Sequence, residues 1–313
     1  MPPGWSAADM PDQHGRTALV TGANSGIGFH TALELARRGA AVLLACRDPD
    51  RGRAAVEAIL DRAPAASVDL VGLDLADLDS VVRLADRVAA LDLLVNNAGV
   101  LAVPERRLTA QGFELQFGTN HLGHFALTGR LLPALLARPG SRVVTVTSVV
   151  HRLASPRPED LNSEHGYGRW RAYARSKLAN ALFGLELDRR LRAAGATTLS
   201  LVAHPGLCHT PLMTSGPRLG GGGPVSRLLG PATSLVGQSA ARGALPVLRA
   251  ATDPHARGGD FYAPRGLTQS RGAPRRVPHG RAARDEHLAD RLWRASEALT
   301  GVTFSVGRAG TAE

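Results

Sequence analysis

The chain has 313 residues, 44% hydrophobic and 20% charged, with a formal net charge of +10, a composition that suits one α/β domain with elaborations. Its only cysteines, Cys46 and Cys208, stand far apart, which excludes a disulfide framework and a CxxC metal or redox motif. Because no run approaches the ~18 apolar residues of a membrane span and the start lacks the pattern of a signal peptide, we expect no integral membrane segment and a cytoplasmic location.

A glycine-rich loop follows the first predicted strand. Residues 1–15 are polar and are expected to form a surface arm, and 17–21 predicts a short buried strand. Glycines at 22, 26 and 28 let the backbone approach a ligand, and the helix behind them, 29–38, offers free N–H groups to a pyrophosphate. An ordinary turn is the alternative for the glycines alone, but the order of strand, glycines and helix predicts a phosphate-binding loop.

Apolar runs alternate with helical ones along most of the chain. Further strands are predicted at 40–45, 68–73, 91–95, 143–148, 198–203 and 259–262. Helices are predicted at 50–62, 77–89, 113–136, 172–194, 238–250 and 285–299. This alternation is typical of a parallel sheet covered on both faces, so we predict a single-domain, Rossmann-type, doubly wound α/β fold with about seven strands flanked by helices.

Three irregular segments interrupt this pattern. The segments 149–171 and 207–235 leave strands at the carboxyl edge, where open α/β sheets bind ligands, and we expect them to wall an apolar pocket, with 207–235 as a substrate lid. The segment 265–284 carries six arginines and no acid. It has almost no aromatics to stack on bases, so a solvated loop is favoured and no nucleic-acid partner is expected. No histidine pattern indicates a metal site.

One tyrosine and one lysine stand out in the helix at 172–194. Tyr173 and Lys177 are four residues apart, which places both on one helix face. An ammonium there favours the phenolate, so we expect Lys177 to lower the pKa of Tyr173 and the pair to transfer protons. A surface helix carrying the two by chance is the alternative for a lone YxxxK. It is weakened because Lys177 is the only lysine among 37 basic residues, and a planar guanidinium cannot replace a compact ammonium in a tight site.

Together these motifs resemble the short-chain dehydrogenase/reductase family over about residues 14–301. Thr21–Gly28 matches the TGxxxGIG loop, Asn96–Gly99 matches NNAG, and Pro205 with Gly206 matches the PG after the sixth strand. The family's catalytic tetrad is matched by Asn120, Ser148, Tyr173 and Lys177. The dinucleotide site implied by the resemblance comprises Gly22, Asn24, Ser25, Gly26, Ile27, Gly28, Asp74, Leu75, Asn97, Ala98, Gly99, Tyr173, Lys177, Pro205, Gly206 and Thr210.

Finer features are similar to the retinol dehydrogenase-like branch. They are the runs 45–48, 120–125, 160–164 and 292–301, and the wide gap between Ser148 and Tyr173. The apolar N-terminal anchor of membrane-bound members is missing and the lid is Gly-rich, so a retinoid substrate is not implied. We expect an arm at 1–15, a domain at 16–301 that includes the lid and a C-terminal extension at 263–301, and a tail at 302–313.

The resemblance implies hydride transfer between a nicotinamide and a carbonyl carbon. Tyr173 would give or take the oxygen's proton and Ser148 would hydrogen-bond the developing oxyanion. Lys177 would hold the nicotinamide ribose, and Asn120 would position a water that links Lys177 to solvent. We expect a lipophilic alcohol, aldehyde or ketone as substrate, and the sequence leaves a homo-oligomer open. A dinucleotide sensor without turnover is the alternative, disfavoured because sensors of this fold tend to have lost the Tyr and Lys.

The end of the second strand indicates the cofactor. Enzymes of this fold that use NAD commonly place an acid there, whereas this chain has neutral Cys46 followed by Arg47, whose planar fork suits a 2′-phosphate. Arg51 could add a second contact. Asp48 could serve a ribose instead, and a solvated Arg47 is the other alternative. The position of Arg47 favours NADP(H), with NAD(H) as second choice.

Overall fold

The computed structural model describes residues 4–208, 237–266 and 268–306. Within these ranges eight strands form one sheet. The strands are β1 Thr17–Thr21, β2 Ala41–Cys46, β3 Val68–Gly72, β4 Leu93–Asn96, β5 Arg142–Val146, β6 Leu199–Ala203, β7 Phe261–Pro264 and β8 Pro274–Arg276. The helices are α1 Gly26–Arg37, α2 Pro49–Leu60, α3 Leu78–Ala85, α4 Leu115–Phe117, α5 Gly123–Leu136, α6 Arg169–Ala193, α7 Ala240–Thr252 and α8 Glu286–Thr300.

The sheet has the order β3-β2-β1-β4-β5-β6-β7-β8, and every neighbouring pair is parallel except β7 with β8. The strand order reverses between β1 and β4, where Val20 is the register partner of Val95. Ligands of open α/β sheets bind at such a switch point, outside the carboxyl ends of the strands. The predicted single-domain, Rossmann-type, doubly wound fold is confirmed.

The eighth strand is a correction to the prediction. Pro274–Arg276 pairs antiparallel with β7, so the reading of 265–284 as a solvated loop is wrong for these three residues. The strand is too short for an alternating pattern to appear. Arg275 and Arg276 are exposed on this edge strand, where basic side chains and proline discourage further strand pairing.

Two apolar layers cover the sheet. One contains residues of α1, α2 and α7 packed on β1 and β2, and the other contains residues of α3, α5 and α6. Helix α8 packs on α6, and its Trp293 lies 5.1 Å from Phe125 of α5 between ring centroids and 5.8 Å from Phe183 of α6. In the described part of the chain, no helix is both long and apolar enough to cross a membrane.

The predicted helix at 113–136 is not continuous. It consists of the short helix α4, a π-helical turn at Gly118–Leu122 and the helix α5. A π-helical turn adds a residue to the helical path and often marks a functional site. Asn120 lies in the middle of this turn.

Candidate active site

The glycine loop leaves β1 in a geometry that requires glycine. Gly22 and Gly26 have φ angles of +65° and +57°, which favour glycine over other residues. At Gly28 a Cβ atom would clash with the carbonyl oxygen of Gly22 and the side-chain amide of Asn97. Helix α1 begins at Gly26, and its N-cap Ser25 makes no side-chain capping bond, so the first N–H groups of the helix remain available to an anion. This cradle fits a pyrophosphate.

Thr21 holds the end of β4 against the glycine loop. Its hydroxyl oxygen accepts hydrogen bonds from the backbone N–H groups of Asn97 and Ala98, both at 2.9 Å. The side chain of Asn97 donates to the Thr21 carbonyl oxygen at 2.8 Å. A Cβ atom at Gly22 would lie only 3.0 Å from the Cα of Ala98, so the two loops approach closely. The predicted residues Gly22, Gly28, Asn97 and Ala98 are thus brought together.

Two residues of the predicted tetrad, Asn120 and Lys177, meet beside Gly99. A Cβ atom at Gly99 would lie 2.9 Å from the Asn120 side-chain oxygen and 3.6 Å from Lys177 Nζ. Lys177 Nζ donates to the carbonyl oxygen of Val146 at 3.2 Å and lies 5.9 Å from the centroid of the Tyr173 ring.

Ser148 completes the group from the strand side. It follows β5, and its side chain hydrogen-bonds Tyr173 of α6. The carboxyl end of β5 and one face of α6 therefore bring together the Ser148 hydroxyl, the Tyr173 phenol and the Lys177 ammonium.

Burial controls the protonation of Tyr173 and Lys177. Their exposed fractions are 8% and 3%. Burial raises the pKa of Tyr173 to about 12, and the hydrogen bond from Ser148 offsets only part of this rise. Burial also lowers the pKa of Lys177 from 10.5 to about 8. The predicted fall in the Tyr173 pKa is therefore wrong, because desolvation of the phenolate dominates. At neutral pH the phenol carries its proton.

Asn120 is fully buried, although an asparagine inside a helix ordinarily faces solvent. Its amide nitrogen donates to Ser176 Oγ at 2.9 Å, and Ser176 lies on α6 between Tyr173 and Lys177. The π-helical turn aims the side chain at this helix. Ser176 is a part of the site that the motifs did not single out. His124 lies in the run 120–125 that was quoted for the family resemblance, but no role was predicted for it, although its spacing of one helical turn from Asn120 was a usable signal.

The adenine side of the implied cofactor site lies along the ends of β2 and β3. Asp74 and Leu75 follow β3, and the Asp74 carboxylate accepts from the backbone N–H of Ala76 at 2.9 Å. Cys46 ends β2 within hydrogen-bonding reach of the backbone of Ala23 and Asn24, and burial raises the pKa of its thiol to about 11. The second strand therefore ends directly at the glycine loop, as predicted from the sequence order.

Arg47 and Arg51 are both exposed at this edge. Asp48 caps α2, where one carboxylate oxygen accepts from the N–H groups of Asp50 and Arg51 at 3.0 and 3.1 Å. This capping role uses one oxygen of the carboxylate that competes with Arg47 for the ribose.

The Pro205–Gly206 turn follows β6. Gly206 has a φ of +75°, and its N–H donates to Nδ1 of His204 at 2.9 Å. The side chain of Gln238, across the gap in the described ranges, donates to the Pro205 carbonyl oxygen at 2.7 Å. Thr210 and nearly all of the predicted lid lie outside the described residues. Among the residues described, no group of three or more His, Cys, Asp or Glu could hold a metal ion.

An apolar cavity of about 40 Å³ lies beside the segment 149–171, but it is not the predicted substrate pocket. It is lined by residues such as Pro156, Leu161, Ala172 and Leu288, and neither Tyr173 nor Lys177 lines it. Around Tyr173 itself, Leu101, Ala102 and Val150 form a separate apolar cluster. Of this cluster only Val150 belongs to the segments expected to wall the pocket, which stays a prediction.

Comparisons with known proteins identify the family. The short chain dehydrogenase family model matches residues 16–217. Human retinol dehydrogenase 13 is 40% identical over 306 residues, which cover 95% of this chain and 87% of that protein.

Two crystal structures extend this likeness to the fold. A protein of Mycobacterium paratuberculosis without an assigned function superposes with a TM-score of 0.80 at 44% identity, over 96% of this chain and 99% of the other. A protein from Beutenbergia cavernae, assigned as an NAD(P)-dependent gluconate 5-dehydrogenase with bound NADP at low occupancy, has a TM-score of 0.63 at 26% identity, over 80% and 95%. The chain therefore belongs to the short-chain dehydrogenase/reductase family, in its retinol dehydrogenase-like branch.

Proposed function

We propose that this protein is an NADP(H)-dependent oxidoreductase that interconverts an alcohol and a carbonyl on a lipophilic small molecule, with Tyr173 as general acid and base. The observation that carries the proposal is the buried Tyr173, which is hydrogen-bonded to Ser148 and whose ring centroid lies 5.9 Å from Lys177 Nζ. A phenol, a hydroxyl and a cation that converge in a dry site are what proton transfer to a carbonyl oxygen requires.

Each side chain has a distinct task in this proposal. The dinucleotide, when bound, supplies or accepts the hydride. In reduction, the Tyr173 phenol donates its proton to the carbonyl oxygen, while the Ser148 hydroxyl stabilises negative charge on that oxygen. The Lys177 ammonium stabilises the phenolate that remains. In oxidation, the same phenolate takes the proton back from the alcohol.

NADP(H) is the cofactor we propose. Arg47 is exposed immediately after β2, whose last residue Cys46 contacts the glycine loop, and Asp48 is engaged as a helix cap. The bound NADP in the Beutenbergia cavernae neighbour supports the same choice. A guanidinium at this edge would pair with a 2′-phosphate, which NAD lacks.

A lipophilic substrate is favoured by the surroundings of Tyr173. Leu101 and Ala102, 4% and 1% exposed, pack with Val150 around the phenol. Retinol, in the name of the human relative, is itself a lipophilic alcohol. We therefore propose an apolar alcohol, aldehyde or ketone and not a sugar.

A substrate panel tests the proposal. The purified protein is assayed for NADPH oxidation with carbonyls from acetaldehyde to long-chain aldehydes, and for NADP reduction with the matching alcohols. We expect activity that increases with the length of the apolar group. A preference for small hydrophilic carbonyls would contradict the substrate class. Tight NADPH binding without turnover on any compound would instead favour a dinucleotide sensor.

A further inference from the structure

His124 is a buried imidazole that joins two parts of the site. It lies on α5, one helical turn after Asn120, and only 1% of its surface is exposed. Its Nδ1 is 3.0 Å from the carbonyl oxygen of Asn120, and its Nε2 is 2.9 Å from the hydroxyl oxygen of Thr21. The ring therefore spans the gap between the π-helical turn and the start of the glycine loop.

The partners of the ring determine its tautomer. A carbonyl oxygen can only accept a hydrogen bond, so Nδ1 of His124 carries the proton and donates to Asn120. Burial and the charge of Lys177 lower the His124 pKa to about 4, so the ring is neutral at physiological pH and Nε2 is an acceptor. The Thr21 hydroxyl then donates to Nε2, the closer of its two acceptors, since the Val95 carbonyl oxygen is 3.3 Å away.

A directed chain of hydrogen bonds results. The N–H groups of Asn97 and Ala98 donate to Thr21, the Thr21 hydroxyl donates to His124, and His124 donates to the backbone of Asn120. In a regular α-helix the Asn120 carbonyl would accept from the N–H four residues later, but the π-helical turn Gly118–Leu122 alters this ladder. The imidazole provides a side-chain donor at the place where the helix is irregular.

We infer that His124 is a positioning residue, which holds Asn120 in its catalytic orientation through the hydrogen bond that Nδ1 donates to the Asn120 carbonyl oxygen, while Thr21 fixes the tautomer of the ring. The inference rests on the proposed function, because it assigns Asn120 to the reacting group of residues. His124 does not touch the reacting atoms. Its contribution is to fix the backbone from which the Asn120 side chain reaches Ser176 and the neighbourhood of Lys177.

Two substitutions distinguish the hydrogen bond at Nδ1 from the one at Nε2, because each keeps one of them. In His124→Asn, the amide nitrogen takes the place of Nδ1 and can still donate to the Asn120 carbonyl oxygen. In His124→Gln, the longer side chain can accept from Thr21 near the place of Nε2 but loses the donor at Nδ1. His124→Phe keeps a ring of similar shape and removes both polar contacts.

The experiment compares kcat, the NADPH dissociation constant, the melting temperature and hydrogen exchange at residues 118–122 for the three variants and the unmodified protein. We expect His124→Asn to keep kcat within about threefold, and His124→Gln and His124→Phe to lose about tenfold, the effect of one hydrogen bond of about 1.4 kcal/mol. Exchange at 118–122 should accelerate in the Gln and Phe variants only. The dissociation constant of NADPH should stay within about threefold in all of them.

Several results would overturn the inference. One is an equal kcat in the Asn and Gln variants. Another is a loss of kcat that ranks the three variants in the same order as their loss in melting temperature. The third is unchanged exchange at 118–122 in His124→Phe. An unmodified protein that binds NADPH without turnover would defeat the proposed function instead. In that case the exchange measurement still decides whether His124 holds the turn.

Discussion

Asn120 and Val100 form a two-way hydrogen-bonded pair: the asparagine amide donates to the Val100 carbonyl oxygen at 3.0 Å, and the Val100 N–H donates to the asparagine oxygen at 2.7 Å. The side chain thus satisfies a backbone donor and acceptor in the loop that follows Asn96–Gly99. The residue that the sequence matches to a catalytic role is also a structural link between that loop and α6.

Asn120→Ala should therefore affect stability and turnover together. It leaves the two polar groups of Val100 without their partner, so we expect the free energy of unfolding to fall by about 1 to 3 kcal/mol. We expect kcat to fall at least about tenfold. Urea unfolding and steady-state kinetics measure the two effects. Ser176→Ala is the control, since it leaves both contacts of Asn120 with Val100 in place and removes only the hydrogen bonds of the Ser176 hydroxyl to Asn120 and to the Tyr173 carbonyl oxygen, and it should retain most of the activity. An Asn120→Ala variant with unchanged kcat would rule out a catalytic contribution.

Tyr173→Phe removes the proposed acid and base while keeping the ring. The expected result is a loss of at least about 100-fold in kcat, the usual contribution of general acid catalysis, with nearly unchanged NADPH affinity. Tyr167→Phe is the control, because Tyr167 also donates a hydrogen bond, which is partly buried, to the Val103 carbonyl oxygen at 2.6 Å, but lies outside the tetrad. Turnover close to normal in Tyr173→Phe would refute the catalytic assignment.

The titration of Lys177 can be observed directly because the chain contains no other lysine. Protein labelled with 13C at the lysine ε carbon should give one NMR signal, which we expect to titrate with a midpoint of about 8 instead of about 10.4. As pH rises through this midpoint the ammonium is lost, so the rate of carbonyl reduction should fall. The phenol of Tyr173, with a pKa of about 12, remains protonated over the same range.

Lys177→Arg tests whether this fall in rate comes from Lys177. A guanidinium keeps its charge over the whole range, so the variant should be less active but should show no inflection near pH 8. A melting temperature close to that of the unmodified protein would establish that the variant is folded. An inflection that persists would assign the pH dependence to another group.

The alternation of strands and helices and the motif residues were readable from the sequence because each depends on local pattern. The glycine loop requires positive φ at Gly22 and Gly26, and the YxxxK spacing puts Tyr173 and Lys177 on one helix face. These features do not depend on how distant segments pack. They accordingly appear in the structure where the sequence placed them.

Features that depend on distant packing were not predictable in this way. The pKa of Tyr173 is set by burial against the loop of Leu101 and Ala102, some seventy residues earlier, and spacing within α6 carries no information about it. The three residues of β8 form a strand only because β7 offers them a free edge. The π-helical turn at 118–122 likewise carries Asn120, whose side chain hydrogen-bonds Val100 and Ser176 in other parts of the chain.

His121 should make the fold sensitive to acid. It is 1% exposed, and burial lowers its pKa to about 3, so the unfolded chain binds a proton below pH 6.5 that the folded chain does not. Stability is therefore lost as pH falls from 6.5 toward 3, by about 2 kcal/mol at pH 5 for one such histidine. His124 and His204 should act in the same direction.

His121→Phe isolates this contribution. The ring lies among Phe117, Phe125 and Phe183, so phenylalanine suits the site, and the partner Ser296 keeps its hydrogen bond to the Leu292 carbonyl oxygen. Urea unfolding at pH 7, 6 and 5 should show a decline in unfolding free energy that is smaller by about 2 kcal/mol in the variant. Parallel declines would mean that His121 is protonated in the folded state as easily as in the unfolded one.

Arg47 should determine the choice between the two nicotinamide cofactors. A charge-assisted contact contributes about 1.5 to 3 kcal/mol, or roughly 10- to 150-fold in affinity, so we expect kcat/KM to favour NADP(H) over NAD(H) by at least about tenfold. Arg47→Asp replaces the guanidinium with a carboxylate that repels a 2′-phosphate and can accept from ribose hydroxyls, so the ratio should narrow or reverse. Arg53→Asp is the control: Arg53 is an exposed arginine that pairs with Asp50 on α2, and its replacement changes the net charge equally. If both variants shift the ratio of NADP(H) to NAD(H) activity alike, the preference comes from overall charge. Equal or better activity of the unmodified protein with NADH would show that Arg47 does not select the cofactor.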